Sequence, residues 1–239
     1  MISTRVDTRE AESYLRALAG DQFPFALSKA LNDAAFQARG VHQDEIKRVF
    51  DRPTPFTVKG VLYTKSTKRK LVSKTFLRDE GVIYPAGPAA YLHPNITGGE
   101  RTQKRFERRL SAQNILPKGW VTVPGTAERL NQYGNLTRGR ITQILGDVNA
   151  FSEEGFNKAT PGARGMFVVR AGTRGRLAPG VWLRQRTKVR PVMLFVPHAR
   201  YRPIYDFEGV SEQFNRQRFP AIFANAVDYA LKTAKDKAK

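Results

Sequence analysis

Between Gly155 and Tyr205 the chain runs for 51 residues with eleven Lys or Arg and no Asp or Glu. Short apolar runs separate the cations: Met166-Phe167-Val168-Val169, Val181-Trp182-Leu183 and Val192-Met193-Leu194-Phe195-Val196. Runs of this length between turn signals read as strands rather than helices. Gly172 to Gly175 and Ala178-Pro179-Gly180 supply two of the turns, and Arg184-Gln185-Arg186-Thr187-Lys188 supplies a cationic one. The stretch therefore predicts a β-sheet with a cationic rim and cationic turns, on which the rest of the chain packs.

The N-terminal part reads as helical. Ala11, Tyr14, Leu15 and Leu18 recur at helical spacing over residues 9–19. Gly20 ends that helix and Asp21 can cap the next, with Pro24 in its first turn. Leu27, Ala30, Leu31, Ala34, Ala35 and Ala38 form a narrow stripe of small residues. Such a stripe suits an ordinary core helix, or a helix at a subunit contact. Arg52-Pro53-Thr54-Pro55 stops the helical region.

Phe56 to Tyr63 and Leu71 to Arg78 read as two strands joined by Thr64-Lys65-Ser66-Thr67-Lys68-Arg69-Lys70. Seven basic and no acidic residues lie between Thr57 and Arg78. The loop is a solvated turn or an anion contact. Residues 80–99, rich in Gly and Pro, read as a surface loop with one helical turn near Ala89–Leu92. Residues 100–113 predict a helix with Phe106 and Leu110 inward and Arg101, Lys104, Arg105, Arg108 and Arg109 on the polar side. Trp120 to Val123 predicts a strand, and Asn135 or Thr137 caps a helix running to about Val148. The chain closes on a helix in which Phe219, Ile222, Phe223, Ala226, Val227, Ala230, Leu231 and Ala234 follow the helix period, with Pro220 at its start. The expected architecture is α+β: an antiparallel or mixed sheet, packed N- and C-terminal amphipathic helices and a basic β-hairpin. It forms a single domain over residues 1–239, with a projecting hairpin and loop region over 56–99.

The formal net charge is +20 and the pI about 10.6. That surplus favours a polyanionic neighbour. Nucleic acid comes first, then a membrane surface or an acidic protein; charge serving solubility alone is the plain alternative. With no cysteine there is no disulfide, thiolate metal site or thiol nucleophile. No apolar run reaches the roughly 18 residues of a membrane span, and the first residues lack a signal core. A soluble, intracellular protein with no membrane partner is expected.

His42, His93 and His198 show no metal-ligand spacing. Nucleophile-elbow and phosphate-loop motifs are absent. The acidic residues are dispersed as Asp44-Glu45, Asp79-Glu80, Glu153-Glu154 and Asp206 with Glu208; only the last, near His198, approaches an active-site patch. The expectation is no enzyme, no cofactor and no metal. Aromatic residues among the cations can stack on bases, although on strands they more often form core.

Four strings, in order along the chain, resemble the prophage minor tail protein Z or tail-completion family of tailed-phage morphogenesis proteins. They are Val49-Phe50-Asp51-Arg52-Pro53-Thr54-Pro55-Phe56-Thr57; Gly98-Gly99-Glu100-Arg101 with Lys104, Glu107 and Leu110; Leu130-Asn131-Gln132-Tyr133-Gly134-Asn135 with Gly139-Arg140-Ile141-Thr142-Gln143-Ile144-Leu145; and Tyr201-Arg202-Pro203-Ile204-Tyr205-Asp206-Phe207. The resemblance implies a non-catalytic virion protein at the head–tail junction, assembled in the host cytoplasm as a ring of six or twelve copies beside other neck, connector and tail proteins. On that expectation Lys65, Lys68, Arg69, Lys70, Lys74, Arg184, Arg186, Lys188 and Arg190 face genomic DNA or an acidic neighbour. Leu27, Leu31, Ala35, Phe219, Phe223 and Leu231 face other subunits or the core. The rival expectation is a basic nucleic-acid-binding protein acting as monomer or dimer; a metal-dependent nuclease, lacking grouped carboxylates, comes third.

Overall fold

Every fourth residue from Ala26 to Ile46 is buried: Ala26, Ala30, Ala34, Ala38, His42 and Ile46. That row is the spine of a 28-residue helix, α1 (Gln22–Val49), in the computed structural model, which describes residues 22–79, 87–151, 165–198 and 200–237, with side chains to 233. The helix expected over 9–19, the cap at Asp21, the first ten residues of the basic stretch, Glu80, the Glu153-Glu154 pair and the side chain of Ala234 fall outside the described residues. The architecture is α+β, and the chain divides into two compact units, residues 1–90 with 204–239, and residues 91–203.

In the first unit α1 packs against the last helix, α6 (Phe207–Lys237). Phe23 meets Phe223 edge-on at one end of the pair, while His42 stacks on Phe207 at 4.1 Å at the other, so the helices run antiparallel. Ala30, Ala34 and Ala38 lie against Phe214, Ile222 and Ala226. Small residues on α1 let the backbones approach, and the larger α6 side chains fill the seam. A helical turn, α2 (Pro55–Val58), follows, and then β1 (Val61–Thr64) and β2 (Lys74–Leu77), an antiparallel pair with Val61 opposite Leu77 and Thr64 opposite Lys74. Val61 is fully buried, and the Thr75 hydroxyl donates to the Ala35 carbonyl of α1.

The chain passes through α3 (Pro88–Thr97) into the second unit. Gly98 and Gly99, at φ +80° and +103°, reverse it into the short strand β3 (Gly99–Glu100), which pairs with β8 (Arg200–Tyr201). Two glycines are what such a reversal requires, since other residues rarely adopt positive φ. Helices α4 (Arg105–Ala112) and α5 (Arg138–Asp147) accompany a four-stranded antiparallel sheet of β4 (Val121–Pro124), β5 (Met166–Val169), β6 (Gly180–Gln185) and β7 (Lys188–Val196), ordered β4-β7-β6-β5. Leu110, Leu116, Ile144, Met166, Val181, Val192, Met193 and Phe195 form one buried cluster between helices and sheet. Each fully buried aliphatic side chain there contributes about 2 kcal/mol. Pro124 is tolerated because β4 is an edge strand.

Four elements differ from the sequence expectation. Phe56–Val58 is helical, not extended: Pro55 sits in the first turn and the Thr54 hydroxyl accepts from Thr57 N. Residues 88–97 form ten residues of helix rather than one turn, with Pro88 at the start and Leu92 and Pro94 buried. The helix expected from residue 100 begins at Arg105, because the Glu107 carboxylate reaches back to Lys104 N. The last helix begins at Phe207, so Pro220 is internal; Asp206 Oδ1 caps the true start by accepting from Gly209 N, and Pro220 stands on the exposed face.

Candidate nucleic-acid interface

Residues 91–203 carry twenty Lys or Arg against six Asp or Glu, a net charge of +14 out of the chain's +20. Two of the six carboxylates are consumed inside the fold. Glu107, fully buried, accepts from both terminal nitrogens of Arg101 at 2.7 Å, from Lys104 N, and from the backbone N and hydroxyl of Thr122. Burial alone would raise its pKa; the Arg101 guanidinium and these donors outweigh it and hold the carboxyl below its ordinary value. Glu128, its side chain almost fully buried, takes a two-pronged contact from Arg140. Glu100, partly exposed, pairs with His198 at 3.2 Å and Arg200 at 3.7 Å. Glu107 and Glu128 therefore stitch the unit together rather than neutralise its surface.

Two of the four strings that carry the family resemblance include such pairing residues, Arg101 with Glu107 in one and Arg140 in another. Arg101 and Glu107 join the start of α4 to β4. Asn131 Oδ1 accepts from the backbone N of Tyr133 and of Asn135, closing a tight loop ahead of α5. Of the two caps the sequence offered, Asn135 and Thr137, it is Thr137 that caps α5, through Arg140 N.

Two groups of exposed cations lie at the two ends of β6. At one end β6 and β7 form a ribbon closed by a two-residue loop, Arg186-Thr187, with Gln185 opposite Lys188, Arg184 opposite Val189 and Leu183 opposite Arg190. Arg184, Arg186, Lys188 and Arg190 are all exposed, and among the described residues none of them is ion-paired to a carboxylate. The Arg184 guanidinium stands 5.2 Å from the Phe167 ring centroid, which holds it in place. At the other end the loop after β5 carries exposed Arg170, Arg174 and Arg176, which the sequence reading did not single out.

The second basic segment is also brought together, on the other unit. Lys65, Lys68, Arg69, Lys70 and Lys74 are all exposed. Their loop lies against α1: Asn32 Oδ1 accepts from Ser66 N at 2.7 Å, and Asn32 Nδ2 donates to Ser66 O at 3.1 Å. Ser66 is buried, and the Lys68 ammonium sits 5.3 Å from the Phe25 ring. Four cations in six residues are thus displayed from an anchored loop. Asn32→Ala leaves the Ser66 amide buried and unpartnered, at a cost of about 1–3 kcal/mol. Loss of amide-exchange protection at Ser66 is the expected readout; unchanged protection would show that Asn32 does not anchor the loop.

Of the six residues expected at a subunit contact or in the core, Ala35 is buried beneath β2, and Phe219 and Phe223 stack on each other at 6.2 Å beside the α1–α6 seam. Leu27, Leu31 and Leu231 are half-buried.

Sequence reasoning missed one cluster altogether. His42 is fully buried, with Nδ1 3.0 Å from the Tyr205 hydroxyl and Nε2 2.9 Å from Ser211 Oγ. Ser211 donates its hydrogen to the Phe207 carbonyl, so it must accept from His42 Nε2–H. Nδ1 is then the acceptor for the Tyr205 hydroxyl. Burial lowers the His42 pKa to about 4, against the opposing charge of Glu45, and burial raises that of Tyr205. The signal was present: His42 lies four residues beyond Ala38 on the buried row. The cluster is a polar lock between α1 and the start of α6.

In the second unit His198 pairs with Glu100, and in the first Asp206 caps α6. Asp44 and Glu45 pair on the surface with Lys47 and Arg48. Among the described residues no group of three His, Asp or Glu could hold a metal ion, and no helix is long and apolar enough to cross a membrane. Comparison of the chain with protein-family models, with curated proteins and with solved structures finds no match.

Proposed function

We propose that the protein is a non-enzymatic building block of a tailed-phage head–tail junction, a tail-completion or neck protein that acts as a ring around the DNA channel. The observation that carries this reading is the partition of charge. The unit of residues 91–203 holds most of the net positive charge, and its buried carboxylates serve internal pairing, which leaves cationic loops for a polyanion. A ring enclosing DNA needs such a surface, rigid units and no reaction centre. The resemblance supplies the particle, and its strings fall on residues that hold the fold, as suits a scaffold. The partners are further copies of this chain, six or twelve, neighbouring neck, connector or tail proteins, and genomic DNA; assembly takes place in the host cytoplasm.

The test is the mass of the purified protein at about 150 mM and at high salt, with and without duplex DNA. A discrete ring-sized species, or a monomer that closes into one only with connector or tail proteins, is the expected result. A stable monomer or dimer that binds any duplex and is shed steeply as salt rises replaces this reading with that of a free nucleic-acid-binding protein, to which the same exposed cations would belong.

A further inference from the structure

We infer that the β6–β7 ribbon is the element that grips duplex DNA, through the phosphates, with Arg186 at its tip held there at a cost to the fold. The inference rests on the reading of the 91–203 unit as a DNA-facing surface and names the contact within it. Arg186 has φ +54° and is the first residue of a two-residue hairpin loop. That position normally takes glycine or asparagine, because a β-carbon there is strained. Other described non-glycine residues with positive φ have local explanations. Asn114 and Asn149 end α4 and α5, where asparagine is usual, and Arg52 is paired with Asp51. Arg186 has neither excuse: its side chain is exposed and the backbone would be easier as glycine.

The rest of the ribbon fits a phosphate track. Lys188 and Arg190, two residues apart on one strand, stand about 7 Å apart on the same face. That matches two nucleotides of axial rise, at about 3.4 Å per charge along one strand. Arg184, steadied by Phe167, serves the other face. A two-stranded ribbon also enters a major groove about 12 Å wide. Residues 184–190 offer Val189 as their single apolar side chain, whereas protein interfaces anchor on aromatic and aliphatic groups. The partner is accordingly a nucleic acid rather than an acidic protein.

The experiment titrates the full chain with a mixed-sequence duplex of about 30 base pairs, between roughly 50 and 250 mM salt. It compares the wild type with Arg186→Gly, Arg186→Lys and Arg108→Gln, an exposed cation on α4 away from both loops, and records the melting midpoint of each. Arg186→Gly should keep or raise the midpoint, by up to about 2 °C, while lowering the slope of log affinity on log salt by about 0.9 and affinity several-fold. Arg186→Lys should restore the slope, and Arg108→Gln should leave it unchanged. A wild-type slope in Arg186→Gly, or an equal loss in Arg108→Gln, overturns the ribbon assignment and leaves the DNA-facing unit standing. A wild type that binds no duplex at low salt overturns both, as does Arg186-dependent binding of polyglutamate without binding of DNA.

Discussion

Glu107→Gln is expected to lower the stability of the folded chain by about 3 kcal/mol, the typical cost of stranding one member of a buried ion pair, and to drop the melting midpoint by about 10 °C. Glu107 has no exposure, and Arg101 keeps only a small part of its side chain at the surface. Five donors converge on the carboxylate, from the segment before α4 and from β4. A glutamine amide of the same shape must turn an NH2 toward donors, and it leaves the Arg101 charge without a counterion. The double variant Arg101→Met, Glu107→Leu should stay destabilised, because it removes the charge pair but strands the Lys104 and Thr122 backbone amides that donate to the carboxylate, each at about 1–3 kcal/mol. Chemical denaturation of the two variants checks this. A glutamine variant within about 1 kcal/mol of wild type would mean that the network does not hold α4 to the sheet. Because these residues lie within one of the resembling strings, the result also shows whether that string is structural.

Acidification should destabilise the first unit through His42. In the folded chain its pKa is about 4, below the ordinary 6.5 that applies once the chain unfolds. Between those values the unfolded state holds a proton that the folded state excludes, so stability rises with pH and is lost as pH falls from 6.5 toward 4. At 1.36 kcal/mol for each pH unit of difference, the loss between pH 7.5 and pH 4 is about 3 kcal/mol. The cause is geometric as well as electrostatic: a protonated ring makes Nδ1 a donor, so the Tyr205 hydroxyl must turn and its hydrogen loses the Nδ1 acceptor. Glu107, whose pKa is held below 4.5, acts in the same direction only at lower pH. His42→Gln should be less stable at neutral pH and nearly flat between pH 7 and 4.5. Urea midpoints across that range measure the effect, and a variant as pH-sensitive as the wild type would rule His42 out as its source.

Legibility from sequence followed the range of the interaction. Strands β5, β6 and β7 were evident because apolar runs of three to five residues between turn residues are a local pattern. A cap for α5 at Asn135 or Thr137 was evident for the same reason, as was the inward face of Phe106 and Leu110. Proline misled twice. Pro220 suggested a helix start, whereas an exposed face accommodates it inside a helix that Asp206 caps thirteen residues earlier, at Phe207. Pro94 and its neighbours suggested a loop where burial of Leu92 holds a helix. The four-residue row from Ala26 to Ile46 was read only as far as Ala38, because His42 does not look apolar until its partners at Tyr205 and Ser211 are known.

By itself the sequence determined the charge surplus and where along the chain it falls, the strands of the sheet, and the helical stretches on either side of it. These depend on composition or on residues within one or two turns of each other. Only the tertiary structure decided which charges remain free, because that depends on pairings such as Glu107 with Thr122 and Glu128 with Arg140. It alone placed the Lys65–Lys70 loop on α1 through Asn32, locked His42 to residues more than 160 positions away, and put Arg186 at positive φ on a ribbon tip. Hydrogen bonds and backbone strain of this kind depend on where the closed fold brings distant groups, and no local pattern in the chain encodes that.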